Sequence, residues 1–362
     1  MPLTASAHPV LPKRVSLVAQ TAESLCTSLR DGLWEGYLPG ERELCAQLQV
    51  SRQTLRSALE ALQQQGWIDT TGRKRRRILK TDGSRTRARA PRIVAAISPR
   101  PLDSMSQSSV VMVDQLRADL ARAGLELVIH TSPACYSAHP ARALDALVSR
   151  SPAAVWLLVG SLAPQQRWFV RRRVPCLVVG SCDPDIGLPS VDMDYRAACR
   201  HAGALLRRKG HRSIALIRAT GDYGGDLESE RGLIDVLGQD PGTHFQILQH
   251  DGTAQGVCLQ VDRALRSLRP PTAYVVARAM HVITVMMHLM LRGKRIPKDV
   301  AVLSRDDETF LQHAVPSVTR YSTSQVQFAR RVSIAARQLA EGTPLPRTTI
   351  RLMPKLVPGE TV

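Results

Sequence analysis

The sequence predicts an α/β protein in which a small, mainly helical N-terminal module precedes a larger region built from parallel β-sheets. The chain has 362 residues, which is too long for one ordinary domain and fits two or three. Apolar residues recur at helical spacing in the first 80 residues. After residue 91, near-continuous apolar runs alternate with helix-length segments. That alternation is typical of parallel sheets covered by helices on both faces.

The composition indicates a polyanionic partner. The net charge is +18, which favours DNA, RNA or an anionic membrane surface without separating them. The seven cysteines form no C-x-x-C pair and no zinc-ligand cluster, so we expect reduced thiols and no metal. The N-terminus lacks the apolar region of a signal peptide, and no apolar run approaches the roughly 20 residues of a membrane span. We therefore expect a cytoplasmic, nucleoid-associated protein without a membrane partner.

The N-terminal module is predicted to contain three helices and a hairpin. The apolar spacing predicts a helix within residues 14–33, and Pro-Gly at 39–40 marks a turn. A short helix follows over 41–49. A longer one runs from its N-cap Ser51 to residue 65, where Gly66 ends it. The apolar pairs at 67–68 and 78–79 flank a candidate hairpin.

The longer helix has a buried stripe and a polar outer face. Leu55, Leu59 and Leu62 fall on one side, whereas Gln53 points away from it. Arg52 lies in the first turn, where the helix dipole also attracts an anion. Glutamine can pair bidentately with adenine, and arginine with guanine. The helix therefore suits a DNA groove, although an ordinary surface helix and a solvated basic segment are the alternatives.

The order of these residues resembles a known DNA-binding domain. The segment PGERELCAQLQVSRQTLRSALEALQQQGWI is similar to the winged helix–turn–helix of the GntR family of bacterial repressors, and the resemblance covers residues 15–80. It implies DNA contacts from the recognition helix and from the wing. The wing tip departs from the usual glycine-rich pattern, because the sequence here is GRKRRR. This wing should bind phosphate or the minor groove more strongly than a typical one. The candidate DNA-binding residues are Arg42, Ser51, Arg52, Gln53, Thr54, Arg56, Gly72, Arg73, Lys74 and Arg75.

The rest of the chain is predicted to be a linker and a two-lobed α/β region. Residues 1–80 form the first domain, the polar, basic segment TDGSRTRARAP at 81–91 reads as a linker, and 92–362 form the second domain. The second domain has about 270 residues, which is more than a single hydrophobic core usually holds, so two lobes are expected. The second domain has no G-x-S-x-G, P-loop, G-x-G-x-x-G or H-E-x-x-H motif, so we expect neither an enzyme nor a cofactor.

The second domain resembles the effector domain of the LacI/GalR repressors, which are built like periplasmic sugar-binding proteins (type I). The segments PSVDMDYRAACRHAGALLRRKGHRSIALI and RGKRIPKDVAVLSRDDETF carry the resemblance, which covers residues 92–345. It implies two lobes joined by three crossovers, with a ligand cleft at the C-terminal ends of the strands. By the same resemblance, Arg231 and Asp306 match effector-binding positions. The alternatives are a surface ion pair of Arg231 with Glu228 or Asp235, and a strand-end cap for Asp306.

Two departures from that family concern the ligand. Arg278-Ala279 replaces the usual Asn-Asp, and Gly180-Ser181 replaces an Asp-Arg pair. A cation in place of a neutral amide favours an anionic effector, such as a sugar acid or a phosphorylated sugar. A pocket that has lost its ligand is the competing interpretation. The candidate effector-binding residues are Arg231, Arg278, Asp306, Ser181 and Tyr223.

Together these patterns predict a DNA-binding transcriptional regulator, a repressor controlled by a sugar-class effector. It should bind a pseudo-palindromic operator as a two-fold dimer. The first alternative is a solute-binding protein or an enzyme. The second is an effector-independent regulator whose sensor-like domain only dimerises.

Overall fold

The computed structural model describes residues 16–30, 33–34, 36–70, 76–79, 92–238 and 240–362. The chain divides into two compact units, 1–89 and 90–362. The predicted linker at 81–91 and the predicted wing-tip residues 72–75 lie outside the described residues.

The first unit is a small helical module with a two-stranded hairpin. Its helices and strands are α1 (Leu17–Arg30), α2 (Glu41–Leu48), α3 (Arg52–Gln64), β1 (Ile68–Thr70) and β2 (Arg76–Ile78). The strands pair antiparallel with Ile68 opposite Ile78, so the predicted hairpin is confirmed. Its two isoleucines face the helices and complete the core of the unit.

Local signals set the ends of α3. The hydroxyl of Ser51 accepts a hydrogen bond from the backbone N–H of Thr54 at 3.1 Å, which confirms the predicted N-cap. At the other end, Gly66 has a φ of +72°, a left-handed conformation that glycine adopts without a Cβ penalty. Leu55, Leu59 and Leu62 are buried, as the apolar stripe predicts.

The second unit contains the predicted alternation of strands and helices. Its strands are β3 (Ile93–Ser98), β4 (Glu126–Thr131), β5 (Val155–Val159), β6 (Cys176–Val179), β7 (Ser190–Met193), β8 (Ser213–Ala219), β9 (His244–His250), β10 (Ala273–Val276), β11 (Ala301–Ser304), β12 (Thr319–Ser322), β13 (Thr349–Leu352) and β14 (Lys355–Val357). Its helices are α4 (Gln107–Arg122), α5 (Ala141–Arg150), α6 (Ala163–Arg172), α7 (Tyr195–Arg208), α8 (Gly224–Leu237), α9 (Ala254–Leu265), α10 (Ala279–Leu291) and α11 (Gln325–Ala340).

In residues 92–238 and 240–362 the strands form two six-stranded sheets, one for each lobe. The first has the order β13-β7-β6-β5-β3-β4 and the second β14-β12-β11-β10-β8-β9. Every pairing is parallel except that of β14 with β12. Apolar clusters cover both faces of each sheet, which is why the strand sequences are almost continuously hydrophobic.

The chain passes between the two lobes three times, as the second resemblance implies. It leaves the first sheet after β7 for α7, which packs on the second sheet. It returns after β12 to α11, which packs on the first sheet, and crosses again from β13 to β14. Because parallel strands share a direction, their C-terminal ends in both lobes carry the loops that face the cleft.

Candidate DNA-binding surface and ligand cleft

The start of α3 presents exposed polar side chains beside a helix N-terminus. Arg52 and Gln53 are exposed, and within the described residues neither side chain has a hydrogen-bond or ion-pair partner. The hydroxyl of Ser51 satisfies the N–H of Thr54, and its oxygen also lies 2.8 Å from the Thr54 hydroxyl. The unpaired cation and the positive end of the helix dipole both favour a phosphate here.

Arg56 is held differently, although it lies on the same helix one turn later. Its Nε donates to Glu41 at 3.0 Å, and Arg76 of β2 donates to the other oxygen of Glu41 at 3.0 Å. Although partial burial acts in the opposite direction, the bonds from Arg76 and Arg56 lower the pKa of Glu41. Glu41 thus joins α2, α3 and β2. The Arg56 side chain remains 63% exposed.

The predicted DNA-binding residues therefore fall into three groups. Arg42, Ser51, Arg52 and Gln53 are exposed, and Thr54 is half-buried beside the cap. Arg56 is exposed but ion-paired. The third group lies outside the described residues: Gly72, Arg73, Lys74 and Arg75.

The two lobes touch across the cleft of the second unit. A Cβ built on Gly224, at the start of α8, would lie 2.6 Å from the Cβ of Ser181, which follows β6 in the other lobe. The Ser181 hydroxyl donates to Asp192 at 2.6 Å. Burial raises the pKa of Asp192 even though the Ser181 bond acts to lower it. Glycine at 224 is thus required for the close approach of the lobes.

A second contact joins the lobes near β11. The backbone N–H of Ser108, in the first turn of α4, donates to the Glu308 carboxylate at 3.2 Å. The Ser108 hydroxyl donates to the carbonyl of Asp307 at 3.3 Å. A carboxylate at a helix N-terminus is a favourable partner for the dipole. Together with the Ser181–Gly224 approach, these bonds describe a closed cleft.

A cluster of four charged side chains forms the wall of the cleft in the second lobe. Arg305 is fully buried, and its Nη1 donates to Asp226 at 2.7 Å and to the hydroxyl of Ser229 at 2.9 Å. Its Nε and Nη2 donate to the two oxygens of Asp306 at 3.2 and 3.3 Å. The guanidinium carbon lies 4.1 Å from the centre of the Tyr195 ring.

The electrostatics of Arg305 keep it charged. Burial alone would lower its pKa, but Asp306 and then Tyr195 and Asp226 raise the pKa of Arg305 well above its usual range. Arg278 contributes the fourth charge, with contacts of 3.5 Å to Asp226 and 3.9 Å to Asp306. Two guanidinium groups and two carboxylates leave this wall with no net charge.

Two histidines adjoin this cluster. His250 ends β9 and is 2% exposed, and its ring centre lies 4.5 Å from that of His281 in the first turn of α10. The Nδ1 of His250 accepts a bond from the N–H of Gly252 at 3.0 Å, so the neutral ring carries its proton on Nε2. Burial, and to a smaller extent His281, lowers the pKa of His250 to about 4. Burial, and then Arg278, also lowers the pKa of His281, so both rings are neutral at pH 7.

Comparison with known families assigns each unit a type. Residues 17–78 match the model "Bacterial regulatory proteins, gntR family", and residues 203–362 match "Periplasmic binding protein-like domain". The chain joins a GntR-type helix–turn–helix domain to a periplasmic-binding-protein-like domain. This is the domain composition of a bacterial transcriptional regulator.

Similar proteins support the same domain types. The probable HTH-type transcriptional repressor ExuR of Bacillus subtilis is 21% identical over 154 residues, which are 41% of this chain and 45% of that protein. This chain therefore matches just under half the length of that relative. Among solved structures, the transcriptional regulator CelR–cellobiose complex has a TM-score of 0.66 at 20% identity, covering 96% of this chain and 100% of that one. A LacI family regulator from Bifidobacterium animalis has a TM-score of 0.65 at 17% identity, covering 75% and 97%. At these identities the structural likeness concerns the fold.

Of the predicted effector residues, the periplasmic-binding-protein-like domain brings three to one edge of the cleft. Arg278 and Asp306 share the charged wall, and Ser181 faces it from the other lobe. Tyr223 is exposed at the N-cap of α8, next to Gly224. Asp307, the neighbour of Asp306, turns away and pairs with Arg320 at 2.6 Å, as alternation along an extended segment predicts.

Arg231 does not join this group. Its guanidinium pairs with Glu228 at 2.6 Å, and half of its side chain is exposed. Ser229, two residues earlier, faces the buried Arg305. Since two residues on a helix are separated by roughly 200°, Arg231 points away from the cleft. The structure therefore favours the surface ion pair over the predicted ligand contact.

Sequence patterns also missed residues of the wall. Asp226 matches no motif, and Arg305 falls at an unspecified position of the segment that contains Asp306. A usable signal existed for Arg305, because a cation directly after an apolar strand must find carboxylate partners.

None of the helices in the described part of the chain combines the length and hydropathy that a membrane crossing requires.

Proposed function

We propose that this protein is a sequence-specific DNA-binding repressor whose operator affinity is controlled by a small molecule bound in the cleft. The observation that carries the DNA-binding part is the unpaired, exposed Arg52 at the N-terminus of α3, within a GntR-type domain. The domain order supplies a DNA-binding domain (the reader, the first unit) and an effector-binding domain (the sensor, the second unit) in one chain. DNA as the partner implies a cytoplasmic, nucleoid-associated protein.

The reader is proposed to place α3 in the major groove. Arg52 and Gln53 are free to contact a phosphate or a base edge, whereas Arg56 must first leave Glu41. Arg42 of α2 is exposed and is proposed to contact the backbone. The predicted wing-tip cations at residues 73–75 would add phosphate contacts.

Dimerisation is proposed to use the exposed face of α10. This helix, AMHVITVMMHLML, is mostly apolar, which is typical of a buried helix. Yet Met280, Met287, Met290 and Leu291 are exposed on its outer face. A second copy of the chain on this face would bury them and would match the two-fold symmetry of a pseudo-palindromic operator.

The effector is proposed to be a carbohydrate or a carbohydrate-derived acid. The cleft wall offers Arg278 for an anionic group and Asp306 for hydroxyl groups, because a carboxylate accepts hydrogen bonds from sugar hydroxyls. A likeness to a regulator solved with cellobiose supports the carbohydrate class. Closure of the lobes around the effector would shift the dimer between two geometries and so change operator affinity.

One observation favours the second candidate, an effector-independent regulator whose sensor-like domain only dimerises. The four charges of the wall already neutralise one another, and the lobes already touch at Ser181 and Gly224. A closed, self-compensated cleft needs no ligand to complete its hydrogen bonds.

Selection of genomic fragments that bind the full-length protein would identify the operator. Fluorescence anisotropy with that operator, and with a scrambled duplex as control, would then test sequence-specific binding. The proposal expects a carbohydrate or sugar acid to release the operator but not to change binding to the scrambled duplex. Operator binding that ignores every compound of these classes would favour the second candidate. Equal binding to both duplexes would refute sequence-specific DNA binding by the first unit.

A further inference from the structure

Arg305 is a buried cation at the end of β11, and the known DNA-binding and effector-binding patterns do not explain it. Its side chain is 0% exposed. Removing a guanidinium from water is strongly unfavourable unless carboxylates and other acceptors replace the water. Three acceptors replace water around the Nη1 of Arg305: the carboxylate of Asp226, the hydroxyl of Ser229 and the carbonyl of Gly225.

Arg305 is the nearest cation to both carboxylates of the wall. It binds one oxygen of Asp226 at 2.7 Å and holds both oxygens of Asp306 at 3.2 and 3.3 Å. The Tyr195 ring under the guanidinium fixes its plane. Because all three partners belong to the second lobe, the arrangement does not depend on closure of the cleft.

Arg278 makes only weak contacts with the same two carboxylates. Its nearest carboxylate oxygens lie at 3.5 Å on Asp226 and 3.9 Å on Asp306, both longer than a good charge-assisted hydrogen bond. Its side chain is 37% exposed, whereas that of Asp226 is fully buried. Most of the N–H donors of Arg278 are therefore unused.

We propose that Arg305 is a positioning residue that occupies Asp226 and Asp306 and thereby leaves the Arg278 guanidinium available to an anionic ligand. Without Arg305, two carboxylates would share one guanidinium, and the wall would carry a net charge of −1. Arg278 would then move into full contact with both acids. The inference rests on the proposed function, in which a ligand binds in this cleft.

The availability of Arg278 can be measured without any ligand. Full-length protein is treated with phenylglyoxal, and the modification rates of Arg278 and Arg231 are measured by peptide mass spectrometry. Arg305→Met is expected to slow modification of Arg278 about tenfold, as a new charge-assisted hydrogen bond implies. Arg231 is half exposed and paired with Glu228 on the other side of α8, so it is the internal control and should keep its rate.

A variant without wall carboxylates separates positioning from general structural support. When Asp226→Asn and Asp306→Asn are both added to Arg305→Met, neither carboxylate remains to hold Arg278, so modification of Arg278 should return towards the wild-type rate. Arg305→Lys provides a second test if the methionine variant does not fold. It keeps the charge but cannot hold two carboxylates at once, and an intermediate rate is expected. An unchanged Arg278 rate in Arg305→Lys or Arg305→Met, or no recovery in the variant that lacks both carboxylates, would overturn the proposal.

Calorimetry with D-glucuronate and D-glucose then addresses the ligand separately. Wild type should bind the acid more tightly than the neutral sugar, and Arg305→Met should lose that preference. If the wild type binds neither sugar, D-glucuronate and D-glucose are excluded as effectors, while the modification result still decides the role of Arg305. If Arg305→Met keeps the preference for the acid, the positioning role fails.

Discussion

Arg52 and Arg56 of α3 carry equal weight in the sequence pattern, but the structure predicts that their removal has unequal effects on DNA binding. Arg52 has no partner among the described residues, whereas Arg56 is bonded to Glu41 at 3.0 Å. An arginine that contacts DNA contributes about 1–3 kcal/mol. Arg56 must first give up an exposed ion pair, which is worth about 0.2–1 kcal/mol.

Arg52→Ala should therefore weaken operator binding by about 5- to 150-fold. The loss of operator affinity in Arg56→Ala should be smaller than that in Arg52→Ala, by a factor of up to about five. Fluorescence anisotropy with the operator and a scrambled duplex, at several salt concentrations, measures both effects. If Arg52 contacts a phosphate, its removal should reduce the slope of log affinity against log salt by about 0.9.

Glu41→Gln is the matched control, because it releases Arg56 and Arg76 together without removing a cation. It should strengthen binding to both duplexes and steepen the salt dependence. The reasoning would be refuted if Arg56→Ala weakened operator binding as much as Arg52→Ala, or if Glu41→Gln left binding to both duplexes unchanged.

Three further predictions concern the second unit. Gly224→Ala should hold the lobes apart, because its Cβ would lie 2.6 Å from that of Ser181; small-angle scattering should show a larger radius of gyration, and adding Ser181→Gly should reverse it. Leu291→Glu should dissociate the proposed dimer, since this 81% exposed side chain would be buried in it; light scattering should report a monomer, with Leu268→Glu, on an exposed loop, as control. The pKa of His250 is about 4 in the fold and 6.5 when unfolded, so the unfolded state binds more protons and stability should fall by about 2 kcal/mol from pH 7 to pH 5. In urea unfolding, His250→Gln should show a smaller loss, and an unchanged loss would contradict this origin.

Interior strands and capped helices could be predicted from the sequence because their signals are local. Ser51, the Leu55–Leu62 stripe and Gly66 lie within one short segment, and each acts through neighbours in the chain. Central strands such as β5, β8 and β10 are buried on both faces, so hydrophobicity alone marks them. These parts of the fold follow from propensity and burial.

Short strands near the sheet edges were not predicted from apolar runs. The sequences TIRL in β13 and KLV in β14 are short and partly exposed. They are strands because they pair with β7 and β12, which lie far from them in the sequence. Pairing partners of this kind are a tertiary property, and a window of sequence does not contain them.

By itself, the sequence determined the two domain types, and it predicted the candidate DNA-binding residues at the start of α3 because those residues lie within one short segment. Only the tertiary structure decided which side chains share the cleft wall. It joins Arg305 to Asp226 across 79 residues and directs Arg231 to the opposite side of α8. It also separates Arg52 from Arg56 by giving one of them a carboxylate from another helix. The physical reason is that a charge finds its partner through space, and chain order does not record that distance.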